Sequence, residues 1–178
     1  MLRGMAVARR TLCANGSSSS VVGLGYVSRE ITGVSRSNLM REMMSSIDHP
    51  SSTIRGVTSV LVQPALGDAG FEGALWRKMV VDGTTHVEHV YANPAIGVIK
   101  RVPLEADGKT EGKVEHVTQL SAKPELHIEL FSRETMSLQR VQSCMPLAAA
   151  DFAVEQTVAL ARAKEAQETD CNFHTAKA

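Results

Sequence analysis

The C-terminal part of the chain has the clearest periodicity of hydrophobic positions. Between Pro146 and Gln167, apolar residues recur at helical spacing on one face, while most charged residues occupy the other. The apolar positions are Leu147, Ala150, Val154, Val158 and Ala161. Pro146 suits the first helical position, where a missing N–H has no cost. Because the stripe is rich in alanine and poor in bulk, the pattern predicts a long helix that another element must cover closely.

Most of the preceding chain has the pattern of β-strands. Extended runs are predicted at 21–31, 57–63, 75–81, 84–91, 96–102, 113–120 and 125–131. Asp82-Gly83 separates two of them and is a preferred pair for a two-residue hairpin turn. This turn places Arg77 opposite Glu88 on one face of the hairpin. The other face, predicted to be the buried one, carries Trp76, Val80, Val87 and Tyr91.

A short helix is predicted at 35–47, between the first two strands. Ser35 can cap its N-terminus. Its apolar stripe consists of Leu39, Met43 and Ile47, with Met40 and Met44 beside it. Pro50 ends the helix because the residue before a proline leaves the α region. The methionines fit an ordinary core, and they also fit a cover over an irregular ligand, to which methionine adapts well.

Segregated strands and helices predict an α+β fold, in which a curved antiparallel sheet wraps around the long C-terminal helix. The chain has 178 residues, which suits one domain, expected at 20–168. Residues 169–178 are expected to form a disordered tail. No apolar run reaches the roughly 20 residues of a membrane-spanning helix.

The first 19 residues have a composition different from the rest. They include Arg3, Arg9 and Arg10, they end in serines, and no acidic residue precedes Glu30. This composition is typical of an organellar transit peptide, and it also fits a disordered tail. The first interpretation predicts a mitochondrial location; the second predicts a cytoplasmic one.

Composition argues against several classes of function. The formal net charge is zero and aromatic residues make up 4% of the chain, which disfavours nucleic-acid binding. The three cysteines, Cys13, Cys144 and Cys171, lack the paired spacing of a disulfide framework or zinc site. Gly23 and Gly25 match a nucleotide loop less well than glycines of an extended strand. No cofactor or metal is therefore predicted.

Polar candidates lie on two hairpins. A four-residue loop at 121–124 would place His116, His127 and Glu129 on one face of the last hairpin. That face could be solvated, which is the expected case, or a polar cavity wall, or an open metal site. Arg77 is expected to face solvent beside Glu88; turned inward, it could bind a ligand carboxylate instead.

The order of elements resembles the helix-grip fold of the START-like (SRPBCC) superfamily, and more narrowly its AtaL-like branch. The stretches that carry the likeness are LMREMMSSIDHP, VTSVLVQ, LWRKMVVDG and HVEHVYANP, followed by a final strand and the terminal helix. The likeness extends over residues 21–167. It implies a cavity between the sheet and the C-terminal helix for an apolar or amphipathic small molecule. It implies no catalytic residue.

The resulting prediction is a binding module for a hydrophobic small molecule or lipid. The predicted ligand-lining residues are Met40, Met44, Trp76, Val80, Tyr91, Leu126, Ile128, Val154 and Val158, and the possible polar anchors are Arg77, His116, His127 and Glu129. Two alternatives stay open. One is an enzyme of cyclase or hydrolase type that uses the same cavity, and the other is a ligand-free accessory subunit of a mitochondrial complex.

Overall fold

A computed structural model describes residues 20–23, 26–65, 74–122, 125–142 and 145–175, with side chains for 26–168 within these ranges. Two α-helices are present in this part of the chain, α1 at Arg36–Asp48 and α2 at Leu147–Thr175. A single 3-10 turn, Pro50–Ser52, follows α1. No helix of the described residues is long and apolar enough to cross a membrane. The predicted N-terminal leader, 1–19, lies outside the described residues.

The described strands form one antiparallel sheet. The strands are β1 Ser20–Gly23, β2 Tyr26–Glu30, β3 Val57–Pro64, β4 Leu75–Val81, β5 Thr84–Asn93, β6 Val98–Pro103, β7 Val114–Ala122, β8 Leu126–Glu134 and β9 Arg140–Val141. Their order is β1-β2-β8-β7-β6-β5-β4-β3, and β9 pairs with β8. The sheet with its long C-terminal helix confirms the predicted α+β helix-grip fold.

The hairpin of β4 and β5 has the predicted register. Val81 pairs with Thr84, and Arg77 pairs with Glu88. Asp82 and Gly83 both have positive φ angles, 48° and 79°, as a two-residue turn of this kind requires. A local turn preference was sufficient here because the two strands are joined by only these two residues.

The sheet has an inner face, which packs on the helices, and an outer face. Because side chains alternate along a strand, every second residue reaches the inner face. The core between this face and the helices contains Val27, Ile31, Leu39, Met40, Met43, Ile47, Val90, Ile99, Leu120, Ile128, Leu130, Ala150, Val154, Val158 and Ala161. The predicted stripe of α2 is thus buried, except for Leu147, which is 40% exposed.

Helix α1 is held to α2 by polar contacts at its N-terminus. The Ser35 hydroxyl accepts a hydrogen bond from the amide of Asn38 at 3.2 Å, as predicted for an N-cap. Ser35 also donates its amide and hydroxyl to Glu165 of α2, at 3.1 and 2.9 Å. Lys164 of α2 pairs with the buried Glu42 of α1. These contacts fix the ends of both helices beside each other.

Two predicted element boundaries were wrong. The run 21–31 is not one strand, because β1 and β2 form an antiparallel hairpin in which Gly23 pairs with Tyr26. Gly23 is therefore the last residue of β1 and not the interior of a continuous strand, while Gly25 lies outside the described residues. Helix α2 continues to Thr175, into the segment 169–178 that was expected to be a disordered tail.

Candidate functional site

A row of polar side chains crosses the inner face of the sheet over three neighbouring strands. Arg101 of β6 pairs with His116 of β7, and His116 pairs with Ser132 of β8. The next row on the same face contains Ile99 and Leu130, which belong to the hydrophobic core. The polar row is thus built into the face that packs on the helices, and we refer to Arg101, His116 and Ser132 as the polar row.

Arg77 and Glu88 form a buried ion pair on the inner face, next to the polar row. Arg77 is 1% exposed, and its Nε donates to Glu88 Oε1 at 2.8 Å. Its NH2 also donates to Glu88 Oε1, and its NH1 donates to the carbonyls of Ser46 and Ile47 in the last turn of α1, at 3.1 and 3.2 Å. These carbonyls lack partners within the helix and carry the negative end of its dipole, so a guanidinium suits them.

The predicted orientation of the β4–β5 hairpin was therefore wrong, although its register was right. Trp76, Val80 and Tyr91 lie on the outer face, away from the helices. Tyr91 donates its hydroxyl to Glu111 and lies under the ammonium group of Lys100. The bulkiest side chains were assumed to mark the buried face, but the helix carbonyls favour burial of the ion pair.

The predicted cluster of His116, His127 and Glu129 does not form. Strands β7 and β8 extend to Ala122 and Leu126, which shortens the loop and pairs Ser121 with His127. Relative to the predicted register the strands shift by an odd number of residues, so His116 faces inward while His127 and Glu129 face outward. Glu129 accepts hydrogen bonds from Tyr26 and Gln119. No metal-binding group of three or more acidic, histidine or cysteine side chains occurs among the described residues.

His116 and Ser132 form a close polar pair. The distance between His116 Nδ1 and Ser132 Oγ is 2.7 Å, and Ser132 is buried. Burial lowers the pKa of His116, the nearby charge of Arg101 lowers it further, and Glu88 partly offsets both effects. The imidazole is therefore neutral at pH 7, and one of its ring nitrogens is available as a hydrogen-bond acceptor.

Arg101 is a half-buried cation without a carboxylate partner among the described residues. Its NH1 group donates to Thr118 Oγ1 at 3.2 Å, while its Nε is buried and makes no hydrogen bond. Among the described residues, no carboxylate oxygen lies within 4.0 Å of its guanidinium. Burial, reinforced by the charge of Arg77 and opposed by Glu88, lowers the pKa of Arg101 to about 10. The guanidinium is thus charged at neutral pH.

A small pocket adjoins the polar row at the start of α2. It is lined by His116, Leu130, Phe131, Ser132, Met145, Leu147 and Ala150. Its volume is about 10 Å³, which is roughly the minimum that holds one water molecule. A larger occupant requires Met145 and Leu147 to move. Both are flexible side chains, and Leu147 already lies partly in solvent.

The structure brings together only some of the predicted site residues. Leu126, Ile128, Val154 and Val158 lie between sheet and helix, and Met40 and Met44 contact the same core. Arg101 and Ser132 were missed. Arg101 lies two residues after the apolar Ile99 on β6, so the two side chains are on the same face of the sheet. That His116 and Ser132 lie on this face as well follows only from the pairing of β6, β7 and β8.

Comparison with known proteins gives structural likenesses only. No family model matches the sequence, and no curated protein matches it significantly. The structure is similar to protein CV1439 from Chromobacterium violaceum, with a TM-score of 0.45 and 12% identity over 77% of this chain and 95% of that one.

Two further solved structures share the architecture. The di-domain aromatase/cyclase StfQ of the steffimycin biosynthetic pathway has a TM-score of 0.47 and 8% identity over 82% of this chain. The match spans about half of StfQ, 53% of its chain. Ara h 8.0201 has a TM-score of 0.43 and 13% identity over 82% of this chain and 99% of that one. TM-scores below 0.5 at such identities carry no information on function.

Proposed function

We propose that the protein binds a hydrophobic or amphipathic small molecule, such as a lipid, between the inner face of the sheet and α2. The observation that carries the proposal is the polar row beside the pocket at the start of α2. Ligand sites are typically apolar with a few polar groups that fix orientation. Leu130, Met145 and Leu147 supply the apolar walls of this pocket, and His116 and Ser132 supply polar groups.

The proposed ligand enters where α2 begins, because the covering side chains there are the least constrained. Val154 and Val158 are buried further along α2, whereas Leu147 is exposed. Displacing the exposed Leu147 costs little compared with displacing the core. The resemblance of the sequence to the AtaL-like branch supports the same interpretation, and we propose membership of that branch with the binding function.

The experiment that tests this function is organic extraction and mass spectrometry of the protein purified from its native source, with native mass spectrometry of the intact protein. A small apolar or amphipathic molecule in stoichiometric amount is expected. Leu147→Trp, which would fill the pocket mouth, should reduce the recovered amount, and Leu61→Trp, on the exposed part of β3, serves as its control. Absence of any co-purified molecule, together with failure to bind apolar fluorescent probes, would contradict the proposal.

A second candidate function is ester hydrolysis, favoured by the contact between His116 and Ser132. When Nδ1 of His116 is unprotonated, the Ser132 hydroxyl donates to it. His116 would accept the Ser132 proton as Oγ attacks an ester carbonyl, and would return it to the departing alkoxide; water then releases the acid. Hydrolysis of p-nitrophenyl butyrate above the rate in buffer, lost in Ser132→Ala and in His116→Gln, is expected. A wild-type rate equal to that in buffer would exclude this candidate.

We further propose a mitochondrial location, supported by the composition of residues 1–19. A tagged full-length chain should enter mitochondria, and a chain that begins at residue 20 should not. Equal distribution of both would contradict this proposal. Comigration of the protein with a large complex on native gels, without any bound ligand, would favour the accessory-subunit alternative.

A further inference from the structure

We propose that the ligand carries an oxyanion head group and that the guanidinium of Arg101 binds it. The inference deepens the proposed function and rests on it: the apolar part of the ligand would occupy the pocket between sheet and helix, and the anion would lie on the polar row.

The first argument is the balance of charge on the inner face. Arg77 and Arg101 contribute two positive charges in this region, and Glu88 contributes one negative charge. Glu88 is already held by Arg77, whose remaining donors reach the carbonyls of α1. One positive charge, that of Arg101, is therefore uncompensated by the described residues.

The second argument compares Arg101 with the other two arginines on the inner face of the sheet. Arg29 pairs with Asp151 at 2.9 Å and with Glu155 at 3.0 Å. Arg77 pairs with Glu88. Among these three described arginines, Arg101 alone lacks a carboxylate. The inner face supplies a counter-charge to the other two, so the exception is consistent with a counter-charge that a ligand supplies.

The third argument is the set of donors around the guanidinium. Arg101 Nε is buried and has no partner, and its NH1 reaches the Thr118 hydroxyl. The Ser132 hydroxyl lies in the same row on the far side of His116, and it can donate to an anion when it does not donate to His116, since hydroxyl groups rotate. A carboxylate, sulfonate or phosphate accepts several such bonds at once and pairs well with a guanidinium. An apolar head group would leave the buried Nε without a hydrogen-bond partner.

The test compares two fluorescent probes that share one ring system. Anilinonaphthalene sulfonate (ANS) carries an anionic sulfonate, and N-phenylnaphthylamine is its uncharged counterpart. Fluorescence titration of the wild-type protein is expected to show that ANS binds about ten- to a hundredfold more tightly, because its sulfonate forms charge-assisted hydrogen bonds with the guanidinium that the uncharged probe cannot form. Equal affinity for the two probes would overturn the inference while leaving the proposed function intact. Failure of both probes to bind would overturn the proposed function as well.

Variants then assign the preference to Arg101. Arg101→Met should remove the preference for ANS and leave the affinity for N-phenylnaphthylamine within about twofold, whereas Arg101→Lys, which retains the charge, should preserve part of it. The matched control is Arg36→Gln, which removes an exposed arginine that, among the described residues, donates to the carbonyl of Ala95 at 3.3 Å. If Arg36→Gln lowers ANS affinity as much as Arg101→Met does, ANS binds surface charge and the inference is wrong. If Arg101→Met does not fold, Arg101→Lys and the wild-type probe comparison still decide.

The class of head group can be identified by displacement of bound ANS with dodecanoate, dodecyl phosphate and dodecanol. One of the two anions is expected to displace ANS at about a tenfold or greater advantage over dodecanol. The stronger of the two identifies the head group as a carboxylate or a phosphate. Equal displacement by dodecanol would show that the alkyl chain alone is recognised, and would overturn the inference.

Discussion

The two faces of the sheet both contain charged residues below the surface, but only the outer face compensates them fully. On the outer face, the buried carboxylate of Glu115 pairs with Arg133 and with Lys100, the latter at 3.4 Å. On the inner face, Arg77 and Glu88 pair closely while Arg101 has no carboxylate. Closed ion networks are expected in a structure that has only to be stable, whereas an uncompensated buried charge costs stability and is typical of a functional site.

The largest difference in stability between variants on the two faces is expected when the negative charge of a carboxylate is removed. Glu88→Gln leaves the guanidinium of Arg77, which is 1% exposed, without its counter-charge and beside Arg101. The free energy of unfolding should fall by about 3–5 kcal/mol, as measured by urea denaturation. Glu111→Gln is the outer-face control, because Glu111 is exposed where it contacts His89, and it should cost less than about 1 kcal/mol. Similar losses in the free energy of unfolding for the two variants would contradict the expected difference between the inner and the outer face.

Replacing an arginine by methionine should have opposite effects on the two faces. Arg101→Met removes a half-buried charge that has no carboxylate partner among the described residues, so it should stabilise the protein by about 1 kcal/mol. Arg133→Met removes a partner of the buried Glu115 and should destabilise by about 2 kcal/mol. Both values follow from denaturation curves of the purified variants. If Arg101→Met destabilises the protein, Arg101 stabilises the fold, and the interpretation that it lowers stability in exchange for ligand binding is wrong.

The contribution of His116 to the pH dependence of the free energy of unfolding is expected to be smaller. Because burial lowers its pKa in the folded protein below the ordinary 6.5, the unfolded chain gains a proton first as the pH falls. The free energy of unfolding should therefore decrease below pH 6.5, down to the folded-state pKa, with no contribution above pH 6.5. In His116→Gln this part of the decrease should be absent when denaturation is measured between pH 7.5 and pH 5. The same slope in both proteins would refute the inward, desolvated position of His116.

The smallest effect is expected on the outer face, where Trp76, Val80 and Tyr91 lie. Tyr91→Phe removes a hydroxyl that donates to the exposed Glu111. Stability should fall by less than about 1 kcal/mol, and the affinity for ANS should remain unchanged. Ser132→Ala, on the inner face, should weaken ANS binding because it removes a donor of the polar row that lines the pocket. Equal effects of the two variants on ANS affinity would indicate that the probe binds the outer face.

Local sequence patterns predicted the two helices and most of the strands. They were reliable where the interacting residues are close in sequence and unreliable where they are not. Ser35 was correctly identified as an N-cap, because the cap and the helix are adjacent in sequence. Asp82-Gly83 gave the register of β4 and β5 for the same reason. The register of β7 and β8 was predicted wrongly because the loop length was assumed, and an odd shift moved His116 to the other face from Glu129.

The sequence by itself thus determined the α+β class, the buried stripe of α2 and one hairpin register, since all of these depend on neighbours along the chain. Only the tertiary structure decided which face of the sheet meets the helices. The alternation of side chains along a strand defines two faces of the sheet, but it does not determine which face packs on the helices. The large side chains on the face of Trp76 led to the prediction that this face is buried. The carbonyls at the end of α1, distant in sequence, instead favour burial of Arg77 and Glu88 on the inner face. The same choice places Arg101 on the inner face without a carboxylate among the described residues, which no local pattern could have revealed.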